Sequence, residues 1–182
     1  MSEPNMSTIG IEAKTLTVEE VVSADILSDL KLSADASHVV YCVRQHYRSS
    51  DQSISALWVA ETSVESSARK ISSGSTNDHS PCFHPVSSDI YLLSDRHKAG
   101  GPAHIYSLTI DASVELEPQA VLPLDNSEAV SFFSISPDGN YLAFISKSQS
   151  QEPGAKEGIS IWRDKKDLGR LCVANLQDRE KQ

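Results

Sequence analysis

Ser136-Pro137-Asp138-Gly139 sets a serine hydroxyl two residues from a carboxylate. A serine becomes a nucleophile when a base takes its proton and an acid orients that base, so this pair would supply the first and last members of such a relay. His79, Cys82 and His84 fall within six residues. All three are zinc-ligand types, and in an extended strand Cys82 and His84 project to one side. Arg96, directly after Ser94-Asp95, has the fork geometry to clamp a carboxylate. Gly74-Ser75 and Gly158-Ile159-Ser160 place serines near glycine, as a GxSxG nucleophile turn requires.

Each of these has a plainer account. The Ser136 site recurs in weaker form at Ser33 and Asp35. In it Pro137 presets φ, Asp138 can bond its own backbone and Gly139 accepts a positive φ, so a hairpin turn is expected. His84 stands where Ser33 and Ser136 stand in their own segments, and no second pair of metal ligands accompanies it, so a loop is expected there. Arg96 is expected to pair with a neighbouring carboxylate or backbone carbonyl. Neither Gly74-Ser75 nor Gly158-Ile159-Ser160 has the second glycine and the following helix. No catalytic residue, cofactor-binding residue, cofactor or metal ligand is therefore assigned.

What positions these residues is a repeat. The segments Asp29 to Arg44, Ser80 to Asp95 and Phe132 to Lys147 align on Ser33, His84 and Ser136, which lie 51 and 52 residues apart. Each runs as a short strand, a turn of small polar residues, and a strand rich in β-branched and aromatic side chains. Those second strands (Val39 to Val43, Ile90 to Leu93, Tyr141 to Ile145) are apolar at nearly every position, which predicts cover on both faces. Third strands are expected at Ala56 to Ala60 and Ala103 to Leu108, and weaker fourth strands at Ala68 to Ser72 and Gln119 to Leu122. Thr62 to Ser80, rich in Ser and Thr, reads as loop around the first of these fourth strands.

In the last unit Arg170 to Leu176 matches the Ala56 to Thr62 stretch better than Ile159 to Trp162 does. Lys147 to Leu168 is then an enlarged hairpin connection with a polar, exposed centre. Trp58 and Trp162 are expected to be packing residues. Thr17-Val18-Glu19-Glu20 has the capping-box pattern and predicts a short helix from about Val18 to Ala24.

The fold class expected is all-β: a partial β-propeller of about three four-stranded antiparallel blades, with a short N-terminal helix. Residues 1–27 form an arm with that helix, and residues 28–182 the partial propeller. The blades fall at about 28–73, 78–123 and 129–182, the last expected to be incomplete.

The totals agree with one soluble domain: 182 residues, 39% hydrophobic and 23% charged. Sixteen basic against 25 acidic residues give a net charge of −9, which argues against nucleic acid or an anionic membrane as partner. The polar opening MSEPNMSTIG leads into no apolar run of signal or spanning length, so a cytoplasmic protein is expected. Cys42, Cys82 and Cys172 have no CxxC spacing and are expected to be reduced and buried.

Several stretches, LTVEEVVSADILSDLKLSADASHVVY, LWVAETSVESSARKIS, SDRHKAGGPAHIYSL and SFFSISPDGNYLAFIS, together resemble the amino-terminal propeller of the prolyl oligopeptidase superfamily. The likeness is greatest to its acylaminoacyl-peptidase and dipeptidyl-aminopeptidase branch. Leu16-Thr17-Val18-Glu19, Ser28-Asp29 to Leu32-Ser33-Ala34-Asp35 and Ser94-Asp95-Arg96 followed by Ile105-Tyr106 carry it, and the last is shared with Tol-type propellers. The resemblance spans Thr15 to Leu176. It implies a cytosolic serine peptidase whose propeller of about seven blades caps an α/β-hydrolase domain and filters peptides by size. This chain has three blades at most and no hydrolase part, so no family catalytic residue carries over. The expectation is a non-catalytic propeller segment, from a truncated or split gene, that meets peptide substrate only within a full-length enzyme. Open blade faces would leave it prone to self-association. The alternative is a stand-alone propeller-type scaffold that holds a protein partner.

Overall fold

The computed structural model describes residues 15, 17–22, 24–45, 54–110, 117–124, 128–148, 159–163 and 169–177. Helix α1 (Val18–Val22) comes first. Its capping box forms as the pattern predicts: the Glu20 N–H donates to Thr17 Oγ1 at 3.1 Å, and the Thr17 N–H donates to Glu20 Oε2 at 2.9 Å. The described helix is Val18–Val22, and Ala24, its expected end, is not helical.

Among the described residues, twelve strands then build three four-stranded antiparallel sheets. The first holds β1 (Asp25–Leu32), β2 (His38–Gln45), β3 (Ala56–Glu61) and β4 (Arg69–Lys70) in chain order. The second repeats that order with β5 (His79–Phe83), β6 (Asp89–Ser94), β7 (His104–Thr109) and β8 (Gln119–Ala120). β1 begins at Asp25, three residues ahead of the boundary expected at 28.

The third sheet departs from the meander. It contains β9 (Glu128–Ile135), β10 (Tyr141–Ser148), β11 (Ile159–Arg163) and β12 (Arg170–Asn175), ordered β9-β10-β12-β11. β12 pairs with β10 along its whole length, from Tyr141 opposite Asn175 to Ser146 opposite Arg170. Arg170 to Leu176 thus takes the third position, as its likeness to Ala56 to Thr62 indicates. β11 does not lie in a bare connection, however. It pairs with β12 on the outside and fills the fourth position, which the sequence reading had left empty. A run of alternating Ile-Ser-Ile-Trp satisfies its backbone there because β12 would otherwise present an unpaired edge. The polar centre of that connection lies at residues 149–158, outside the described residues.

The sheets stack face to face around two apolar layers. One joins Val40, Cys42, Leu57, Val59 and Ile71 of the first sheet to Ile90, Leu92, Tyr106 and Leu108 of the second. The other joins Tyr91, Leu93, Ile105 and Val121 of the second to Leu142, Phe144, Cys172 and Ala174 of the third. The expectation of cover on both faces therefore holds for β6 alone among the three second strands. Ile90, Tyr91, Leu92 and Leu93 are all buried, whereas β2 and β10 bury alternate residues, leaving Val39 and Tyr41, or Ala143 and Ile145, half-buried. The reason is positional: only the middle sheet has a neighbour on each side.

Candidate functional site

The three anchors sit in like surroundings. The N–H of Ser33, His84 and Ser136 donates to the carbonyl five residues on, at His38, Asp89 and Tyr141, over 2.8 to 2.9 Å. Each closes a hairpin between the first and second strand of its blade. In the first and third blades the serine hydroxyl donates to the turn aspartate, Ser33 Oγ to Asp35 at 2.6 Å and Ser136 Oγ to Asp138 at 2.5 Å. The same hydroxyl accepts from the N–H of His38 or Tyr141 at 2.9 Å.

This wiring decides the chemistry. Both serine hydroxyls spend their proton on a carboxylate and a lone pair on the backbone, so neither faces a base. The Asp138 carboxyl also accepts the Asn140 N–H at 3.1 Å, and Asp35 accepts the Ser37 N–H at 3.0 Å. Hydroxyl donation from Ser136 first, then the Asn140 amide, hold Asp138 below the usual carboxylate range. Asp35 is lowered further, by Ser33 first and then Ser37. Carboxylates held ionised in this way are turn acceptors and poor general acids.

The first turn also brings a histidine to a serine. Ser37 Oγ lies 2.7 Å from His38 Nδ1 and 2.8 Å from both Asp35 oxygens. In a catalytic relay the imidazole stands between serine and acid. Here the hydroxyl stands between imidazole and acid, so its one proton can serve only one of them.

A cleft of about 490 Å³ opens between the first turn and the loop of the second blade. Ser33, Asp35 and His38 line one wall, His84 to Ser88 the other, and Val59, Phe83 and Ile110 also reach it. Glu61 and Arg69 bring charge to its edge. Polar and apolar side chains share its lining in about equal measure.

His84 also reaches toward the third blade. Its ring stacks on Tyr91, centroids 5.8 Å apart at 25°, and its Nε2 donates to the Gly139 carbonyl at 3.1 Å. Because a carbonyl only accepts, the proton must sit on Nε2, leaving Nδ1 to accept the Val86 N–H at 3.4 Å. This bond ties the turn of the second blade to that of the third. Cys82 is half-buried and its thiol is directed to the Phe83 carbonyl, while Cys42 and Cys172 are buried, so the expected burial holds fully for two of the three cysteines. The bulge of β5 lies between His79 and Cys82, and β5 ends at Phe83, so His84 stands in the turn that follows and not in the extended strand that a face shared with Cys82 requires. Among the described residues no three His, Cys, Asp or Glu side chains converge.

Arg96, itself nearly buried, joins the buried Asp78 to the exposed Glu117. Its Nη2 donates to both Asp78 oxygens at 2.8 and 3.0 Å, Nη1 donates to Glu117 at 2.9 Å, and Nε to Ser94 Oγ at 3.2 Å. Its guanidinium stacks 5.1 Å from the Tyr106 ring centroid. Asp95 points away, accepting the N–H groups of Asn77 and Gly100, each at 2.8 Å. Asp78, fully buried, is the partner that local sequence reading could not name. Gly74 turns the chain at φ 70, and Gly158 lies outside the described residues, as does the side chain of Ser160.

Stacked four-stranded sheets, each closed by the same turn and none wrapping into a barrel, decide the fold. This is a partial β-propeller. No protein-family model matches the sequence, and no curated protein does. Solved structures match the propeller in shape. An acylaminoacyl peptidase from Pyrococcus horikoshii aligns with a TM-score of 0.59 at 16% identity, covering 88% of this chain and 25% of its own. A puromycin-hydrolysing peptidase from Mycobacterium tuberculosis aligns at 0.52 and 20% identity, covering 68% and 19%. A putative TolB from Agrobacterium tumefaciens aligns at 0.50 and 18% identity, covering 84% and 49%. The partial propeller thus has the fold of the propeller regions of prolyl oligopeptidase-type enzymes, and it spans a quarter or less of the two peptidases' length. Among its described residues, no helix is long and apolar enough to cross a membrane.

Proposed function

We propose that the chain is the opening part of the propeller of an acylaminoacyl-peptidase-like serine peptidase of the cytoplasm, and that by itself it hydrolyses nothing. In the complete enzyme the propeller would cap the active site and admit peptides by size. The observation that supports this is the alignment of 88% of this chain with a quarter of an acylaminoacyl peptidase. The wiring of Ser33 and Ser136 into their turns fits a chain whose polar groups serve architecture.

Two measurements test it. The purified chain should release no p-nitroaniline from acetyl-alanine p-nitroanilide above a buffer control, and turnover that survives purification would overturn the non-catalytic reading. Substituting the chain for the matching blades of the Pyrococcus horikoshii enzyme should leave unchanged the ratio of that enzyme's rates on short and long peptides. A changed ratio, in a chimera still active on a short anilide, would remove the capping role.

A second reading, an independent interaction scaffold, is favoured by the apolar side chains left on the outer blades. Phe132 and Leu27 are 61% and 67% exposed. In that case blade faces, and no enzyme part, would be the functional surface.

A further inference from the structure

The blade faces are of two kinds, and the central blade shows how they fit. One face, Ile90 and Leu92 with Tyr106 and Leu108, packs on Val40, Cys42, Leu57 and Val59 of the first blade. Its other face, with Tyr91, Leu93 and Ile105, packs on Leu142, Phe144, Cys172 and Ala174 of the third. Counting from the three turn anchors, Val40, Tyr91 and Ala143 are equivalent, and so are Cys42, Leu93 and Ile145. Pairing carries the equivalence to the next strand: Val59 and Leu57 lie opposite Val40 and Cys42, and Val173 and Leu171 lie opposite Ala143 and Ile145.

The third blade's outward face (Ala143, Ile145, Leu171, Val173) is therefore another copy of the face that the first and second blades have already buried. The first blade's outward face (Val39, Tyr41, Trp58, Ala60) is likewise another copy of the face formed by Ile90, Leu92, Tyr106 and Leu108. One molecule ends in the two halves of a junction it has already made twice. The exposures agree with this. Phe132, opposite Ile145, is 61% exposed and Leu171 46%, while Leu27 and Leu32, opposite Val43 and Val39, are 67% and 56%.

The geometry points to head-to-tail pairing of two copies of this chain, the third blade of each packing on the first blade of the other. Two such junctions close a ring of six blades, within the roughly four to eight that propellers use, and satisfy two-fold symmetry. Within a longer polypeptide further blades would fill the same faces; for this chain alone, a second copy is the blade at hand. Burying the apolar side chains at both ends drives the closure, and the net charge of −9 on each copy opposes it. Salt, by screening that repulsion, should strengthen the pair. The inference stands on the repeat and its register, so its failure would leave the peptidase reading untouched.

Size-exclusion chromatography with light scattering on the full chain tests it. The expected result is a species of twice the chain's mass that gives way to single chains on dilution and persists to lower concentration in higher salt. Leu171→Lys and Leu32→Lys should each abolish it, with the far-ultraviolet circular dichroism of the β-sheets unchanged. Mixing those two variants should restore a two-chain species, because one junction between them keeps both intact faces. Should either variant fail to fold, Phe132→Lys and Leu27→Lys, at still more exposed positions, replace it. A single-chain mass at every concentration would overturn the proposal, as would growth beyond two chains. So would a dimer that survives in either variant alone, which would mean like faces packing together.

Discussion

The Ser80 N–H donates to the Asp29 carboxylate at 3.0 Å, and the two residues hold the same place in successive repeats. Both sit in a bulge of the first strand of their blade, with φ 55° at Asp29 and 53° at Ser80. The left-handed backbone that each bulge demands is tolerated best by Asp, Asn and Gly. The bulge of one blade therefore aims a carboxylate at the bulge of the next. Asp29→Ala should lower unfolding free energy by about 1–2 kcal/mol, through a lost charge-assisted bond and a less tolerant residue at positive φ. Asp29→Asn keeps an acceptor and should cost less than half of that; urea titrations would show it.

Gly139 makes a second inter-blade contact whose loss is steric. At φ 75°, a Cβ there would stand 2.5 Å from His84 Cε1. Gly139→Ala should cost about 2–4 kcal/mol, from backbone strain plus the displaced imidazole. Adding His84→Ala should recover the steric share and leave the backbone share. Comparing the double with the two singles by thermal or urea unfolding separates them.

The Arg96–Asp78 pair places a large polar stake in the interior. Asp78 is fully buried and the Arg96 side chain is 11% exposed. Arg96→Ala would strand that carboxylate and should destabilise by about 3–5 kcal/mol. Arg96→Lys keeps the charge but not the planar fork that reaches Asp78, Glu117 and Ser94 together, and should fall between. Equal losses for the two variants would mean that the fork, and not the charge, is what matters.

Acid should loosen the molecule in two windows. Asp35 and Asp138 have carboxyls lowered by their turn donors, so the folded state binds fewer protons than the unfolded one. Their contribution is complete above the unfolded value near pH 4 and is lost as pH falls toward the folded values. His79 is lowered from its ordinary value chiefly by burial. Protonation of the unfolded chain should then begin to cost stability below about pH 6.5. Asp35→Asn with Asp138→Asn should flatten the lower window, and His79→Gln the upper, in unfolding curves taken from pH 3 to 8.

Thiol reactivity reports on the first apolar layer. Burial first, then the nearby Asp29 charge, push the Cys42 thiol up to about 12. Cys42 should resist alkylation at pH 8 in the folded protein and react at once in denaturant. Mass spectrometry of peptides carrying each cysteine gives the rates; prompt labelling of Cys42 under native conditions would mean that the first and second blades separate readily.

Much of this architecture was legible in advance, and the reason is locality. A turn such as Ser136-Pro137-Asp138-Gly139 is fixed by bonds that reach five residues at most. The capping box at Thr17 and Glu20 reaches three. Strand β12 was legible as the third strand because its Leu-x-Val-Ala pattern copies β3. The place of β11 was not, since a strand entering from the far edge leaves no mark in a repeat it does not follow. For the candidate site the same division holds. The turn role of Ser33 and Ser136 follows from their neighbours, whereas nothing near Arg96 names Asp78 as its partner, and nothing near His84 names Gly139.

The sequence by itself determined that the chain is built of repeated blades, where each hairpin bends, and that Ser33, Asp35, Ser136 and Asp138 belong to those bends, because these are matters of neighbouring residues. Only the tertiary structure decided which faces are covered and which groups meet across blades. Alternation along a strand sets two faces apart, but whether a face is buried depends on a sheet some fifty residues away in the chain.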